Sequence, residues 1–410
     1  MTEAYPMLSL NERERRWKRT RELMKEKGLE CLVIFGKGRE HFDAYLTNEI
    51  FDGIVVFPLA GEPIYLLWAP NRVLVRLESA LKDEKWWVAD LRSGSTGPGV
   101  VGTLQEKGMD RAKIGVVGLD HNGPGELEGI VPYKTWAYVL QKLPHATFVD
   151  VSLAYSEMMM IKSDEELNLI RHSAEIGERA CETMMNVTKV GVSETEIFSA
   201  VMSTIYSHGA VSTPTVLILK TGPNNVSWGA PIWVHRGGSP RVLQKGDIVN
   251  AEIFPIYGGF ETQQQMAIAL KPIDPVNQKC ADIARRSYEA GLKALRPGKS
   301  FKEVCDAMDR PLLETGAWNL SPLIHTLMPL AWVGPQRFDP NQLPEMKKYK
   351  GVSTVEMLGD VIVKPGMIFE LEPNASFGRN RVNIGGTVIT TKDGIEVLNR
   401  LPMEMQVVGS

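Results

Sequence analysis

The chain has 410 residues, which is long enough for two or three domains with buried cores. Its 46 basic and 49 acidic side chains give a formal charge of minus 3, without a long run of either sign. This balance is compatible with an enzyme or a binding protein. It does not indicate a nucleic-acid partner or an anionic membrane surface. No stretch approaches about 18 continuous apolar residues, and the first residues are polar with mixed charge, so we expect a cytoplasmic protein without membrane contact.

The first part of the chain alternates helical and strand patterns. Residues 11–27 are charged with an apolar stripe that includes Trp17 and Met24, and Gly28 follows at a position typical of a helix C-cap. Four short β-rich runs come next, at residues 32–35, 53–58, 63–68 and 113–118. This alternation predicts a small α/β domain over residues 1–156.

The second part of the chain has its helices and strands in blocks. It opens with a capping box in which Ser163 precedes Glu166 by three residues. Further helices are predicted at residues 193–206, 275–295 and 300–315. Strands are predicted at residues 215–219, 247–255, 265–270, 367–372 and 387–390. Blocks of this kind indicate an α+β domain over residues 157–410.

The four cysteines do not indicate a metal site or a disulfide framework. They are far apart in sequence, with no Cys-x-x-Cys pair and no histidine at zinc-finger spacing. Such cysteines are typical of buried or incidental thiols in a reducing compartment. They are Cys31, Cys181, Cys280 and Cys305.

The second part also contains an ordered series of residues that could carry chemistry. The series is His235, Gly246-Asp247, Glu252, His325, Glu372-Pro373 and Asn383-Ile384-Gly385-Gly386-Thr387. Each string is weak alone, but their order and spacing resemble the pita-bread family of methionine aminopeptidases, prolidases, aminopeptidase P and creatinases. The resemblance implies a C-terminal pita-bread domain preceded by a smaller creatinase-type N-terminal domain.

The metal-binding pattern of that family is incomplete here. Its peptidases hold two metal ions with two Asp, one His and two Glu. The resemblance places Glu252, Gln263, His325, Glu372 and Gly385 at these positions. A neutral Gln cannot offset the charge of a divalent ion, and Gly has no side chain, so we expect no dinuclear site and no cofactor.

The creatinase branch of the family hydrolyses a C–N bond without metals, and this chain resembles it in several residues. Phe254-Pro255 and Gly259-Phe260 match its pattern, and His235 stands at the position of its catalytic histidine. Glu372 falls on a substrate-holding glutamate, whereas Gln265 replaces the other one. This replacement argues against creatine as the substrate. Arg337 lies in a loop comparable to one that holds a carboxylate-binding arginine in creatinase.

These positions predict a metal-independent hydrolase of a small organic molecule. Neutral His235 would be the general acid/base, which typically contributes about 10²–10⁴-fold to the rate. Glu372 and His325 would be polar anchors, with Glu252, Gln263 and Gln265 as further hydrogen-bonding groups. Aromatic residues near them in sequence favour an apolar or aromatic substrate moiety; they are Phe254, Tyr257, Phe260 and Trp332.

Structural roles are the alternative for each of these residues. His235 in its loop could be a solvated side chain, and His325 could be a satisfied core histidine. Glu252 could face water, and so could one of Glu370 and Glu372, which share a strand face. Residues 263–265 could be strand surface, and the aromatic residues could belong to the core.

Three other functions fit the same pattern. A lyase could use the same histidine to break a C–C, C–O or C–S bond. A pita-bread domain without metals could also be a non-catalytic peptide or protein binder. A single metal ion held by Glu252, His325 and Glu372 is a third alternative. The resemblance further implies a homodimer in which each N-terminal domain helps to close the neighbouring cleft.

Overall fold

The chain divides into two units, each with its own sheet and cores. The computed structural model describes residues 5–38, 40–81, 85–120, 129–348 and 361–408. One unit is Met7–Met159, and the other is Met160–Ser410 together with Met1–Pro6. The units separate within the helix Ser152–Met160, which also contains the predicted boundary between residues 156 and 157.

The N-terminal unit is a six-stranded sheet with helices. Its elements are α1 (Leu10–Lys27), β1 (Cys31–Phe35), α2 (Ala44–Thr47), β2 (Ile54–Pro58), β3 (Ile64–Leu67), α3 (Pro70–Leu81), β4 (Asp90–Ser93), α4 (Gly97–Glu106), β5 (Lys113–Val117), α5 (Tyr133–Lys142), β6 (Thr147–Asp150) and α6 (Ser152–Met160). The strand order is β4-β3-β2-β1-β5-β6. Only β1–β2 and β2–β3 are antiparallel, so the sheet is mixed. The predicted first helix is confirmed, because Gly28 ends α1 in the left-handed conformation with φ 64°.

A buried carboxyl group connects the loops of this unit. Asp43 accepts hydrogen bonds from the amides of Ala44 (3.0 Å) and Gly53 (2.9 Å) and from the Tyr65 hydroxyl (2.5 Å). Gly36 leaves room for it, since a Cβ there would lie 1.9 Å from the Asp43 carboxyl carbon. Burial raises the pKa of Asp43 to about 6, although these hydrogen bonds act in the opposite direction.

The C-terminal unit is built around a larger sheet. Its elements are α7 (Asp164–Val187), α8 (Glu194–Ser207), β7 (Val211–Gly222), α9 (Ile232–Arg236), β8 (Ile248–Tyr257), β9 (Phe260–Glu261), β10 (Gln264–Leu270), α10 (Pro275–Ala294), α11 (Phe301–Thr315), β11 (Ile324–Thr326), a 3₁₀ turn (Pro344–Lys348), β12 (Ile368–Leu371), β13 (Asn374–Phe377), β14 (Asn380–Asn383), β15 (Gly385–Thr391), β16 (Gly394–Val397) and β17 (Gln406–Val408). The main strand order is β11-β12-β15-β10-β8-β7, and β9, β16 and β17 pair with β8, β15 and β10. Strands β13 and β14 form a separate hairpin.

The four longer helices of this unit begin within one residue of their predicted starts, whereas the short helix α9 was not predicted. Ser163 and Glu166 form the predicted capping box of α7, and equivalent boxes open α8 and α11. Helices α7 and α8 pack on one apolar cluster with β8 and β10, whereas α10 and α11 pack on another that includes Phe369 and Leu371 of β12. Period-two alternation along β8 directs Ala251 and Ile253 into the first cluster and turns Glu252 to the opposite face.

The four cysteines are buried and form no disulfide. Burial raises the pKa of the Cys31, Cys280 and Cys305 thiols to about 12 and that of Cys181 well above its ordinary value. Within the described ranges, no helix is both long enough and apolar enough to span a bilayer.

Candidate active site

Polar side chains from neighbouring strands meet in the C-terminal sheet. Gln265 on β10 lies directly opposite Glu252 on β8. Opposite residues of antiparallel strands have Cβ atoms about 4.5–5.5 Å apart, so these two side chains are within contact range. His325 on β11 lies opposite Glu370 on β12, and Glu372 follows the end of that strand. The fold thus brings together residues that are up to 120 positions apart in sequence.

All of these side chains are buried. Glu252, Glu370 and Glu372 are 2%, 0% and 4% exposed, so the alternative in which Glu252 or one of the other two faces water is wrong. Gln263 and Gln265 are 3% and 4% exposed, and the strand-surface alternative is therefore wrong as well. Buried carboxylates need partners, because an uncompensated charge in the interior is costly.

The Gln265 amide lies beside two of the carboxyl groups. Its Nε2 donates to Oε2 of Glu372 at 3.0 Å, and its side chain, opposite Glu252 on the neighbouring strand, acts to lower the pKa of that carboxyl group. Its oxygen accepts from Nδ2 of Asn383 at 2.9 Å, which fixes the orientation of the amide. The indole of Trp228 donates to Oε2 of Glu252 at 2.9 Å. Oε1 of Glu252 has no hydrogen-bond partner in the described part of the chain.

His325 and Glu372 lie within ion-pair distance of each other. Nδ1 of His325 lies 3.0 Å from the Thr326 carbonyl oxygen, which can only accept, so this nitrogen carries a hydrogen. Nε2 lies 3.3 Å from Oε1 of Glu372. A neutral imidazole with its hydrogen on Nδ1 cannot donate from Nε2, so a hydrogen bond there requires one further proton on either group.

Burial disfavours the ionised form of two other carboxyl groups of the site. Burial, followed by the negative charge of Glu372, raises the pKa of Glu252 to about 8, although Arg381 opposes this. Burial and the same neighbour raise the pKa of Glu370 well above its ordinary value. The Thr387 hydroxyl donates to Oε2 of Glu370 at 3.0 Å.

The residues at the family's five metal positions do not fit a dinuclear centre. The Gln263 amide donates to Oε1 of Glu261 at 2.8 Å and offers no carboxylate. A Cβ at Gly385 would lie 1.9 Å from the Leu371 carbonyl oxygen, so this position has no room for a side chain. Among the residues that the structure describes, no three His, Cys, Asp or Glu side chains form a group that could hold a metal ion. This also argues against the single-metal alternative.

The structure places His235 away from this hydrogen-bonded group. It is exposed on the short helix α9, and no hydrogen bond or ion pair joins it to Glu252, His325 or Glu372 in the described residues. The same segment between β7 and β8 does reach the site through Trp228. His235 is thus on the segment that contacts the site, without being part of the buried group.

The predicted aromatic and arginine positions have different surroundings. Phe254 is buried on the same face of β8 as Glu252, two residues away. The Tyr257 hydroxyl donates to the Pro6 carbonyl at 3.1 Å, and Phe260 is buried on β9. Trp332 packs in the core against Phe301 and Phe369, with ring centroids 5.7 and 6.4 Å away. Arg337 pairs with Asp309. Trp332 therefore packs in the core, and Arg337 forms an ion pair, so the contacts of both residues are with other parts of the protein.

Sequence reasoning missed Arg381 as a site residue, and it named Asn383 only as part of the string that resembles the family. Arg381 is fully buried, and its charge acts on both Glu252 and Glu372. The signal was the string NRVN, in which two polar residues alternate with an apolar one in a strand that has no exposed position. An arginine at an inward position of such a strand indicates a buried charge partner.

Family comparison supports the expected architecture. Residues 168–392 match the model for Metallopeptidase family M24, and residues 16–161 match the Creatinase/Prolidase N-terminal domain. A creatinase of Bacillus sp. (strain B-0618) is 23% identical over 279 residues, which are 64% of this chain and 63% of that protein. A methionine aminopeptidase of Staphylococcus epidermidis is 26% identical over 151 residues, 37% of this chain and 60% of that protein. The chain thus spans less than two thirds of the length of these curated relatives.

Solved structures share the whole fold. The dipeptidase PepE from Mycobacterium ulcerans superposes with a TM-score of 0.74 at 18% identity, covering 98% of this chain and 99% of that one. The Xaa-Pro dipeptidase from Bacillus anthracis gives 0.72 at 18%, covering 97% and 100%. At this identity the likeness shows the fold alone, and it confirms the predicted α+β class with a pita-bread domain after a creatinase-type domain. The chain belongs to metallopeptidase family M24, and its first part is a Creatinase/Prolidase N-terminal domain.

Proposed function

We propose that this protein is a metal-independent hydrolase that cleaves a C–N bond of a small organic molecule. The observation that carries the proposal is the Gln265 amide, which donates to Glu372 and lies opposite Glu252, at two positions where an M24 peptidase would hold metal ions. The similar proteins named creatinase, methionine aminopeptidase and dipeptidase are hydrolases of C–N bonds by name. We propose the same type of bond, C–N, for this protein, but without metal ions in the mechanism.

In this proposal each residue of the site has a separate role in hydrolysis. Hydrolysis places the oxygen of water on the substrate carbon and a proton on the leaving nitrogen. His235 is the general base that takes a proton from water, and the His325–Glu372 pair holds a proton close to the leaving nitrogen. Oε1 of Glu252 has no partner in the described residues. This oxygen accepts a hydrogen bond from the substrate, or donates one when the carboxyl group is protonated. For His235 to act, the segment that carries it must move toward the buried group when substrate binds.

The substrate has an apolar or aromatic part in this proposal. Phe254 lies on the same strand face as Glu252 and is 7% exposed. Trp228 and Ile232 are 53% and 67% exposed on the segment that contacts Glu252, and they offer apolar surface at its rim. A homodimer in which the second copy covers this rim remains part of the proposal, with no cofactor and no nucleic-acid or membrane partner.

Elemental analysis by plasma mass spectrometry is the first test. Protein purified without chelator or metal-binding tag is expected to contain well below one transition metal per chain, because the donor set does not fit a metal. About two metals per chain would return this protein to the metallopeptidases. One metal per chain that disappears in His325→Ala would favour the mononuclear alternative.

Activity is tested with a panel of amides, ureas and guanidines that carry an aromatic group, in water labelled with ¹⁸O. Turnover is expected to place ¹⁸O in a product, whereas a lyase would release unlabelled products. His235→Gln and Glu372→Gln should each lower kcat by about 10²–10⁴-fold. His145→Gln is the matched control, since His145 is exposed in the N-terminal unit. Equal activity of all three variants would contradict the assigned roles.

One observation favours the binding-module alternative. His235 is exposed, and no contact in the described residues joins it to the buried group. The proposed catalytic histidine is therefore not held against the site when no substrate is bound, as would be the case in a protein that only binds. A non-catalytic binder would show saturable peptide binding that His235→Gln leaves unchanged, and no turnover of any compound in the panel.

A further inference from the structure

One positive charge in the C-terminal unit is completely buried. Arg381 on β14 has 0% exposure. Its guanidinium donates to the carbonyl oxygens of Asn225 (3.1 Å) and Ser227 (3.2 Å) and to the side-chain oxygen of Asn374. These hydrogen bonds fix the guanidinium through three groups from two separate parts of the chain. All three acceptors are neutral, so none of them cancels its charge.

The charge of Arg381 acts on the carboxyl groups of the site. Glu252 and Glu372 are the two groups whose negative charge stabilises the protonated guanidinium against the cost of burial. The backbone also connects Arg381 to the site, because Nδ2 of Asn250 donates to the Arg381 carbonyl at 2.8 Å, two residues before Glu252. Asn374, which accepts from Arg381, donates to the Glu372 carbonyl at 2.9 Å. The guanidinium therefore has a fixed position relative to both carboxyl groups.

A buried cation needs compensation. Taking a charged group from water into the interior costs several kcal/mol unless opposite charge lies nearby. The same holds for a buried carboxylate, and in a dinuclear enzyme the metal ions supply the positive charge. Here two of the five metal positions have no carboxylate, and Gly385 has no room for one. Arg381 is the buried cation that the described contacts place among these residues.

We infer that Arg381 is a fixed internal cation that takes over the electrostatic role of metal ions in this site. It stabilises the Glu252–Gln265–Glu372 group in a single arrangement and makes added divalent ions unnecessary for its stability. This inference rests on the proposed metal-independent function, but it concerns the folded protein and is measured without any substrate.

The first experiment tests metal binding to the wild-type chain. Calorimetric titration with Mn²⁺ and with Co²⁺, each with a thermal melt, is expected to give no stoichiometric heat and no rise in Tm. Binding of either ion at one or two equivalents with a rise in Tm would overturn both the inference and the metal-independent function. If neither ion binds and the second experiment shows no interaction between Arg381 and Glu252, the inference about Arg381 is overturned while the metal-independent function stands.

The second experiment is a double-mutant cycle between Arg381 and Glu252. Arg381→Gln removes the cation and is expected to lower Tm by about 10 °C, because one partner of a buried charge group is left uncompensated. Arg381→Lys keeps the charge and should lose less. Adding Glu252→Gln to Arg381→Gln at pH 9, above the pKa of about 8 of Glu252, is expected to restore part of the loss, because the carboxylate that needed compensation is then replaced by a neutral amide.

Two outcomes of the cycle would contradict the inference. If the effects of Arg381→Gln and Glu252→Gln simply add, the two groups do not interact. If Arg381→Lys is no more stable than Arg381→Gln, Arg381 stabilises the protein through the shape of its side chain and not through its charge. Should Arg381→Gln fail to fold, recovery of folding in the double variant supports the inference, and failure of both overturns it. Arg400→Gln with Glu252→Gln is the control cycle, since Arg400 is exposed.

Discussion

At the scale of single residues, this site depends on amides where related enzymes use carboxylates. A carboxylate can only accept hydrogen bonds, whereas an amide both donates and accepts. Gln265 uses both abilities, since it donates to Glu372 and accepts from Asn383. The consequence is an oriented pair of hydrogen bonds that runs from Asn383 through Gln265 to Glu372, whose other oxygen lies 3.3 Å from Nε2 of His325.

Asp43 in the N-terminal unit predicts a pH dependence of stability. Its folded-state pKa of about 6 is above its ordinary value of 3.8, so its contribution to stability is complete below about pH 3.8 and is lost as pH rises through 6. This shift corresponds to about 3 kcal/mol. In Asp43→Asn this dependence is expected to disappear. Urea unfolding at pH 4.5 and pH 7 measures it.

The comparison uses differences in pH response, because Asp43→Asn also changes hydrogen bonds by an amount that does not depend on pH. Wild type should lose stability relative to the variant between the two pH values. Asp110→Asn is the control, because Asp110 is exposed. A constant difference between wild type and Asp43→Asn at both pH values would show that Asp43 does not titrate in this range.

The sequence predicted part of the site for a physical reason. Glu372, His325, Glu252 and Gln265 stand in strings with recognisable spacing, and their burial follows from the strand patterns around them. The role of Arg381 depends on contacts with residues more than 150 positions away, such as Asn225 and Ser227. No local pattern specifies such contacts, and the same holds for the link between Trp228 and Glu252.

At the scale of elements, the start of β15 is packed too closely for any side chain. A Cβ on Gly385 would lie 1.9 Å from the Leu371 carbonyl oxygen, and its φ of 154° is unfavourable for other residues. Gly385→Ala is therefore expected to lower the free energy of unfolding by about 3 kcal/mol or more. Urea unfolding followed by near-UV circular dichroism measures the change.

Gly102→Ala is the matched control for this substitution. Gly102 lies in α4, and a Cβ there would have no neighbour within 4 Å. Alanine is the better helix former, so this variant should gain up to about 1 kcal/mol. If Gly385→Ala were as stable as Gly102→Ala, the close approach of β12 and β15 would be wrong.

Elements with strong local signals were predicted, and several short strands without such signals were not. The capping box of α7 and the C-cap of α1 depend on residues within four positions of each other. Strands β11, β16 and β17 have three or four residues each and are defined by distant partners. β17, for example, pairs in parallel with β10. Segments this short carry too little periodicity to be assigned from sequence.

At the scale of the whole molecule, the four thiols report on opening of both units. Cys31 belongs to the N-terminal unit and the other three to the C-terminal unit, and all are buried with raised pKa. Because the thiolate is the reactive form, we expect no reaction with Ellman's reagent in the native state and four equivalents in denaturant. Rapid reaction of any native thiol at pH 8 would contradict the described packing.

The close approach of β12 and β15 also limits which variants of this protein are reachable one substitution at a time. A glutamate at position 385 would require the Leu371 carbonyl to move first. An aspartate at position 263 would lose the bond to Glu261 and add negative charge beside it. Each change toward a two-metal site is therefore harmful until the others are present. Directed evolution by single steps would stall before reaching a metallopeptidase, whereas changes at the exposed Trp228 and Ile232 remain open to selection for new substrates.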